Sequence, residues 1–421
     1  MTSTQTQKSN LLPIIIMGAF YFIFGFATWL NGTLIPYLKI ACELNDFQSY
    51  LVATAFYISY FVMALPSSWV LKKTGLKNGM MLGLFVMAVG ALVFVPAANT
   101  RTYSIFLLGL FIIGTGLSLL QTAANPYVSI LGPIDSAAKR ISIMGICNKV
   151  AGTLAPLILG AIILSDADIL TEQLKTMDAV SKVAKLNELA SRVITPYTIM
   201  AIILVGLAML VKFSGLPDIE TESEREEETV SNKTSVFQFS NLTFGLIALF
   251  LYVGVEVISI DTLTNFGTSL GMPLSKAKYL PSYTLGAMTI GYIISILTIP
   301  KIVKQEVVLA VSAVLGVVLA FGAIATPGIA AIGFIALLGF ANAVMWPAIF
   351  PLAIHATGKY LKTASALLIM CIVGGAILTP LYGGLAGVKE IGTQNAYCIM
   401  VPCYLYILWY AVAGHKVNVK A

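Results

Sequence analysis

Charged residues are scarce in this 421-residue chain: Lys, Arg, Asp and Glu together make up 10% of it, whereas hydrophobic residues make up 58%. A soluble globular protein carries roughly 25% charged residues and is about half apolar. No soluble fold of this length has surface enough to hide so apolar a composition. We therefore expect an integral membrane protein of the all-α class.

Metal-binding and redox residues are also few, with two histidines and five cysteines. The cysteines form no C-x-x-C pair and no cluster with histidine, so neither a disulfide framework nor a zinc site is predicted. The net charge of +6 is spread over the ends of apolar runs and forms no basic patch, which argues against nucleic acid as a partner. No cofactor is expected, and no catalytic cluster that would indicate an enzyme is found.

Long apolar runs dominate what is present. A transmembrane helix needs about 20 apolar residues, and the sequence predicts twelve such spans, near 12–38, 49–71, 78–97, 103–130, 140–164, 195–213, 241–269, 277–298, 306–325, 329–354, 363–385 and 395–415. The acidic segment 214–240 divides them into a half at 1–213 and a half at 241–421.

The two halves resemble each other weakly, since "AANPYV" in span 4 and "VMWPAI" in span 10 place a proline alike. Parallel repeats of six helices are typical of the major facilitator architecture, which holds its substrate near the membrane midplane between the halves. The first apolar run is too long for a signal peptide. One set of short loops holds twelve lysines and arginines and the opposite set holds five, which predicts that both termini are cytoplasmic.

Three charged residues lie near the middle of predicted spans: Glu256 and Asp261 in "LYVGVEVISID" of span 7, and Lys149 in span 5. An ionised group at the bilayer centre costs about 2.5–3.5 kcal/mol, so such groups usually face a cavity and have a function. For Glu256 the alternative is a structural pair with Lys149. For Asp261, which lies nearer the outer end of the span, the alternative is an ordinary solvated carboxylate. Five residues of an ideal helix turn by roughly 500°, so the two acids point about 140° apart unless span 7 unwinds between them.

Uncharged polar residues form a second candidate set. An amide side chain both donates and accepts hydrogen bonds, which suits the adjacent hydroxyls of a sugar. The alternative is hydrogen bonding between helices. With Lys149 and the aromatic Trp346, the candidate substrate-binding residues are Asn31, Gln121, Asn125, Asn148, Asn265 and Asn342. Trp29, Tyr57 and Phe266 are further flat faces for a sugar ring.

Several longer motifs carry a resemblance to a known family. "TWLNGTLIPYLK" (28–39), "LQTAANPYVSILGP" (120–133) and "WPAIFPLAIHATGKY" (346–360) together resemble the fucose–proton symporter family of the major facilitator superfamily. "RISIMGICNKVAG" (140–152) and "LYVGVEVISIDT" (251–262) are similar to its glucose/galactose transporter branch. The resemblance implies a monomeric, multi-pass symporter for hexoses in a bacterial inner membrane.

The chain departs from that family at two positions. The resemblance implies an acid at the positions of Gly32 in span 1 and Gln121 in span 4, and neither residue is acidic here. We therefore expect the coupling charge in span 7, on Glu256 and with it Asp261. Because the glucose/galactose branch includes sodium-coupled members, sodium bound at Glu256 is the favoured coupling ion. A proton-coupled sugar symporter and an uncoupled sugar carrier are the alternatives.

Overall fold

The computed structural model describes residues 11–130, 137–214, 235–298, 303–355, 357 and 360–417. Most of the acidic segment at 214–240 lies outside these residues. Eleven helices in the described part of the chain are long and apolar enough to cross a membrane. One of them, Asp46–Thr100, has 55 residues and bends at Gly75, whose φ of 76° favours glycine. This bend divides the helix into spans 2 and 3, so the twelve-span expectation agrees with the structure.

The bounds of the elements are as follows. In the N-terminal half, span 1 is Leu11–Trp29 with Asn31–Ala41, spans 2 and 3 are Asp46–Thr100, span 4 is Tyr103–Ile130, span 5 is Ala137–Ile163 and span 6 is Ile194–Phe213. In the C-terminal half, span 7 is Ser240–Asp261 with Leu263–Ser269, span 8 is Leu280–Thr298, span 9 is Gln305–Ala325, span 10 is Ile329–Asn342 with Met345–Ile354, span 11 is Leu361–Met370, Cys371–Val373 and Gly374–Ala386, and span 12 is Gly392–Asn395, Ala396–Ile399 and Met400–Val412. The short elements are Val236–Gln238, Leu274–Ala277 and Gly414–Lys416.

Two short helices, Ala167–Thr176 and Ala179–Ser191, follow span 5 and form a polar hairpin. We call the end of the bundle that carries them the hairpin end. Asp178 begins the second helix by accepting hydrogen bonds from two backbone N–H groups of its first turn. The hydroxyl of Tyr37 in span 1 donates to the carbonyl oxygens of Leu189 and Ala190, which fastens the hairpin to the bundle.

The broken spans place irregular backbone inside the bundle. Span 7 stops at Asp261 and resumes at Leu263, and span 10 stops at Asn342 and resumes at Met345. Such breaks are tolerated at membrane depth where neighbouring helices surround them. The helix of span 7 is continuous from Glu256 to Asp261, so it does not unwind between the two acids.

Two side-chain amides satisfy the carbonyl groups at the ends of neighbouring helices. Asn241 donates to the carbonyl oxygens of Leu352, Ala353 and His355 at the end of span 10. Gln394 does the same for the last turn of span 9. Because a helix leaves its last four carbonyl groups without intrahelical partners, these contacts also set the positions of the spans.

Candidate functional site

A buried ion pair joins the two halves near the middle of the bundle. The Nζ atom of Lys149 in span 5 lies 3.0 Å from Oε1 of Glu256 in span 7. Lys149 is 7% exposed and Glu256 is 6% exposed. The same ammonium group lies 4.7 Å from the ring centre of Trp29 and 5.8 Å from that of Tyr292, within the range of cation–π attraction. Lys149 therefore contacts spans 1, 7 and 8 together.

Two glycines allow this arrangement by bringing spans 1 and 5 close together. A Cβ atom on Gly25 would lie 1.8 Å from the carbonyl oxygen of Asn148, the residue before Lys149. A Cβ atom on Gly152 would lie 2.3 Å from Cδ1 of Trp29. Larger residues at either position would push the helices apart and move the lysine away from the indole ring.

Asp261 is the second acid of span 7, and it is 0% exposed. Neither carboxylate oxygen has a hydrogen-bond partner among the residues that the structure describes. Its Oδ1 atom faces Gly32 in span 1, where an added Cβ atom would lie 3.4 Å from it. An unpaired carboxylate buried at membrane depth is costly when it is ionised, which marks Asp261 as a candidate for ion binding.

Other buried polar atoms also lack hydrogen-bond partners within the described part of the chain. Those on spans 1, 2, 7 and 11 are both amide atoms of Asn31, the indole N–H of Trp29 and the hydroxyls of Thr33, Tyr57, Ser67, Thr264 and Thr379. The Tyr57 hydroxyl lies close to Asn31 and to both acids of span 7. A buried donor or acceptor without a partner costs roughly 1–3 kcal/mol. Such a set beside a carboxylate is typical of a binding site whose ligand supplies the missing partners.

Two of the candidate amides instead have partners within the protein. Asn342 accepts a hydrogen bond of 2.9 Å from the Tyr404 hydroxyl and donates one of 3.3 Å to Oγ of Ser259. Asn265 donates a hydrogen bond of 3.2 Å to the Tyr50 hydroxyl. The structure thus places these amides between helices, whereas it leaves Asn31 unpaired.

The other candidate residues lie on spans 4, 5 and 10. Gln121 and Asn148 are half-buried, and the side chain of Asn125 lies outside what the structure describes. Trp346 is half-buried and stacks on Phe350 with ring centres 6.0 Å apart. Their roles in substrate binding remain predictions.

Sequence reasoning missed two tyrosines that border the ion pair. Tyr252 lies against Glu256, one helical turn earlier in span 7. That i, i+4 spacing places the two side chains on one helix face, so it was a usable signal. Tyr292 in span 8 reaches Lys149 only through the packing of spans 5 and 8, for which the sequence holds no local signal.

The halves also contact each other at the hairpin end. Asp168 of the hairpin accepts hydrogen bonds from the hydroxyl and the backbone N–H of Ser275, which lies in the short helix Leu274–Ala277 before span 8. Partial burial of Asp168 opposes ionisation, but these hydrogen bonds outweigh it and hold the pKa of its carboxyl below the usual value. Lys278 is 3% exposed and donates a 2.6 Å hydrogen bond to the carbonyl oxygen of Leu164 at the end of span 5. The N-terminal and C-terminal halves are therefore closed against each other at the hairpin end.

Comparison with known proteins places the chain in one family. The sequence model described as Major Facilitator Superfamily matches residues 17–380. The glucose/galactose transporter of Brucella abortus biovar 1 (strain 9-941) is 34% identical, over 99% of this chain and 97% of that protein. The L-fucose-proton symporter of Escherichia coli (strain K12) is 29% identical, over 91% of each chain. The crystal structure of the major facilitator transporter FucP in the outward conformation is 28% identical, with a TM-score of 0.73 over 96% of this chain and 99% of that one.

Proposed function

Because this chain belongs to the Major Facilitator Superfamily, and is thus a multi-pass membrane transporter and not an enzyme, we propose that it imports a hexose together with a proton. We call the site around Lys149, Glu256 and Asp261 the central site. The halves would alternate between an arrangement that opens this site at the hairpin end and one that opens it at the opposite end. The fucose–proton and glucose/galactose resemblance of the sequence agrees with the named relatives, and it supports a sugar of the glucose, galactose or fucose type as substrate.

The observation that carries the proposal is the charge balance of the central site. Lys149 and Glu256 neutralise each other, and Asp261 is left as a buried carboxylate without a partner among the described residues. One monovalent cation would neutralise this group. A proton does so by bonding to a single oxygen, which suits a carboxylate whose Oδ1 faces a glycine and which has no hydrogen-bond partner among the described residues.

Sodium at Glu256, the coupling ion that the sequence analysis favours, has less support. The carboxylate of Glu256 is already engaged by the Lys149 ammonium group at 3.0 Å. Among the relatives above, the name that states an ion states the proton. We therefore take Asp261 as the coupling residue, and take Glu256 as its charge-balanced neighbour.

The unpaired polar groups support a sugar as substrate. The amide of Asn31, the hydroxyl of Tyr57 and the indole N–H of Trp29 offer donors and acceptors without partners among the described residues. Adjacent hydroxyls of a hexose can satisfy such groups in pairs. Trp29 offers its indole N–H rather than a stacking face, because its buried ring lies against Lys149 and Gly152.

Uptake into proteoliposomes that contain the purified protein tests this function. Radiolabelled glucose, galactose and fucose are offered separately, with an inward proton gradient or an inward sodium gradient. We expect at least one sugar to accumulate above its outside concentration on the proton gradient without sodium. Accumulation on sodium alone would restore the sodium hypothesis, and entry that only equilibrates would indicate an uncoupled carrier.

We further propose that the protein acts as a monomer in a bacterial inner membrane, with the hairpin end outside and both termini in the cytoplasm. The lysine and arginine bias of the loops supports this orientation. A cysteine at Val180, which is 81% exposed on the hairpin, gives a direct test. A membrane-impermeant maleimide should label it in intact cells in which the native cysteines have been replaced, and failure to label would contradict the orientation.

A further inference from the structure

Asp261 lies at a contact between the two halves as well as in the membrane interior. Span 7 belongs to the C-terminal half, and Gly32, which faces the carboxylate, belongs to span 1 of the N-terminal half. A Cβ atom on Gly32 would lie 3.2 Å from Cγ of Pro281 in span 8 and 3.4 Å from Oδ1 of Asp261. Glycine at position 32 therefore lets spans 1, 7 and 8 pack around the carboxyl group without displacing Pro281.

The described surroundings of Asp261 do not compensate a negative charge. Among the residues that the structure describes, the titratable groups that interact with it are Glu256 on its own span and Tyr57 and Tyr50 on span 2. Glu256 adds a second negative charge, and the ammonium group of Lys149 is already paired with Glu256. An ionised Asp261 therefore needs water, which this closed arrangement keeps away from it.

We propose that Gly32 and Asp261 form a proton-dependent contact, in which spans 1 and 7 close at the hairpin end only when Asp261 carries a proton. Gly32 is the positioning residue that makes room for the neutral carboxyl group. This inference rests on the proposed function and deepens it, because it states how proton binding controls the movement of the halves. Closure at the hairpin end is favoured at low pH and is lost as the pH rises and Asp261 ionises.

The conformational test uses two spin labels at the hairpin end, one on each half. Val180 on the hairpin and Val388 between spans 11 and 12 are exposed, and both are replaced by cysteine after the native cysteines are removed. Between pH 8 and pH 5, pulsed-dipolar distances should shift toward the closed arrangement. Asp261→Asn should show the pH 5 distance distribution of the parent at both pH values, and the exposed Glu172→Gln should behave as the parent does.

Two outcomes of this measurement would overturn the proposal. One is a distance distribution that does not change with pH in the parent protein. The other is an Asp261→Asn variant that keeps the parent's pH dependence. Neither outcome depends on sugar transport, so the contact can fail while the proposed function stands. If instead the purified protein exchanges no sugar but the distances respond to pH, the proposed function fails and the contact stands.

The transport test removes the carboxylate from the contact. Asp261→Asn should keep sugar exchange between equal concentrations but lose at least tenfold in proton-driven accumulation. If Asp261→Asn accumulates sugar on the proton gradient as the parent does, the proposal is wrong.

A glycine comparison tests the positioning role of Gly32 separately. Gly32→Ala adds a methyl group in contact with Pro281 and Asp261, and it should lower the closed population at pH 5 and slow exchange several-fold. Gly206→Ala in span 6 is the matched control, since nothing lies within 4 Å of the added Cβ atom. Equal effects of the two substitutions would contradict a specific role for Gly32.

Discussion

The ammonium group of Lys149 and the carboxylate of Glu256 lie 3.0 Å apart and join the N-terminal half to the C-terminal half. Because this pair is internally neutral, the unpaired charge of the central site resides on Asp261, about one and a half helical turns further along span 7. Glu256 has a charged partner and Asp261 has none among the described residues, so we expect different roles for the two acids. In the proposed function, Glu256 and Lys149 organise the site and Asp261 takes up the coupling ion.

Replacing one member of the Lys149 and Glu256 pair should destabilise the protein more than replacing both. Glu256→Gln or Lys149→Met leaves one buried charge uncompensated, which typically costs about 3–5 kcal/mol. The double variant should recover most of that loss. Thermal unfolding of the parent, the two single variants and the double variant in detergent measures these stability differences as a double-mutant cycle.

The exposed pair of Lys175 and Glu172 is the control for this cycle. Its atoms lie 2.8 Å apart, but the side chains are 64% and 74% exposed. Water screens such pairs, so the equivalent substitutions should leave stability unchanged. A central double variant as unstable as the sum of its single variants would show that Lys149 and Glu256 do not act as a pair.

Two asparagines should respond differently to the same substitution. Asn31→Ala removes an amide that has no partner among the described residues, so we expect a rise of tenfold or more in the sugar concentration that half-saturates transport, with little change in stability. Asn342→Ala leaves the buried hydroxyl of Tyr404 unpaired, which should cost about 1–3 kcal/mol of stability. Uptake kinetics and thermal unfolding of both variants check this, and the reverse pattern would exchange their roles.

Linking the halves at the hairpin end should stop transport. Cysteines at Asp168 and Ser275, joined by a short reducible cross-linker, would hold the contact between the hairpin and the short helix before span 8 closed. Uptake should fall to background and return after reduction. Cysteines at Lys182 and Glu43, whose charged atoms lie 2.7 Å apart within the N-terminal half, should cross-link without loss of uptake. Full transport by the cross-linked Asp168 and Ser275 variant would mean that this contact does not open.

Stability of the hairpin should depend on pH through Asp166. Hydrogen bonds from the Arg192 guanidinium outweigh partial burial and hold the pKa of Asp166 below its usual value. A lowered pKa in the folded state contributes stability above the unfolded pKa of about 3.9, and this stability is lost as the pH falls through the folded value. The side chain of Asp166 is 37% exposed, so the contribution is at most about 1 kcal/mol. Asp166→Asn should therefore lower the unfolding temperature at pH 7 and lower it less at pH 3, where an undiminished difference would rule this origin out.

The fold was largely predictable from sequence because each span must satisfy its own backbone in the membrane. Apolar run lengths gave the twelve spans, although the structure joins two of them into one helix that bends at Gly75. The break after Asp261 was less predictable, because no proline or glycine marks it. Sequence reasoning allowed for unwinding between the two acids, whereas span 7 is continuous there.

The central site was predictable only in part. A charge within an apolar run is conspicuous, so Lys149, Glu256 and Asp261 were all identified, and the pairing of the first two was one of the alternatives. Which carboxylate the lysine would bind depends on how spans 5 and 7 pack, and a single sequence does not contain that information. The same limit applies to Gly32, whose importance comes from the carboxylate opposite it.

The central claim is that a proton enters with each sugar through Asp261. Currents recorded from proteoliposomes on a solid-supported membrane after a jump in sugar concentration test it most directly. In sodium-free buffer, the parent protein should give a current that carries positive charge in the direction of the sugar, and Asp261→Asn should give none. A current that appears only when sodium is added, or one that Asp261→Asn leaves intact, would contradict the account.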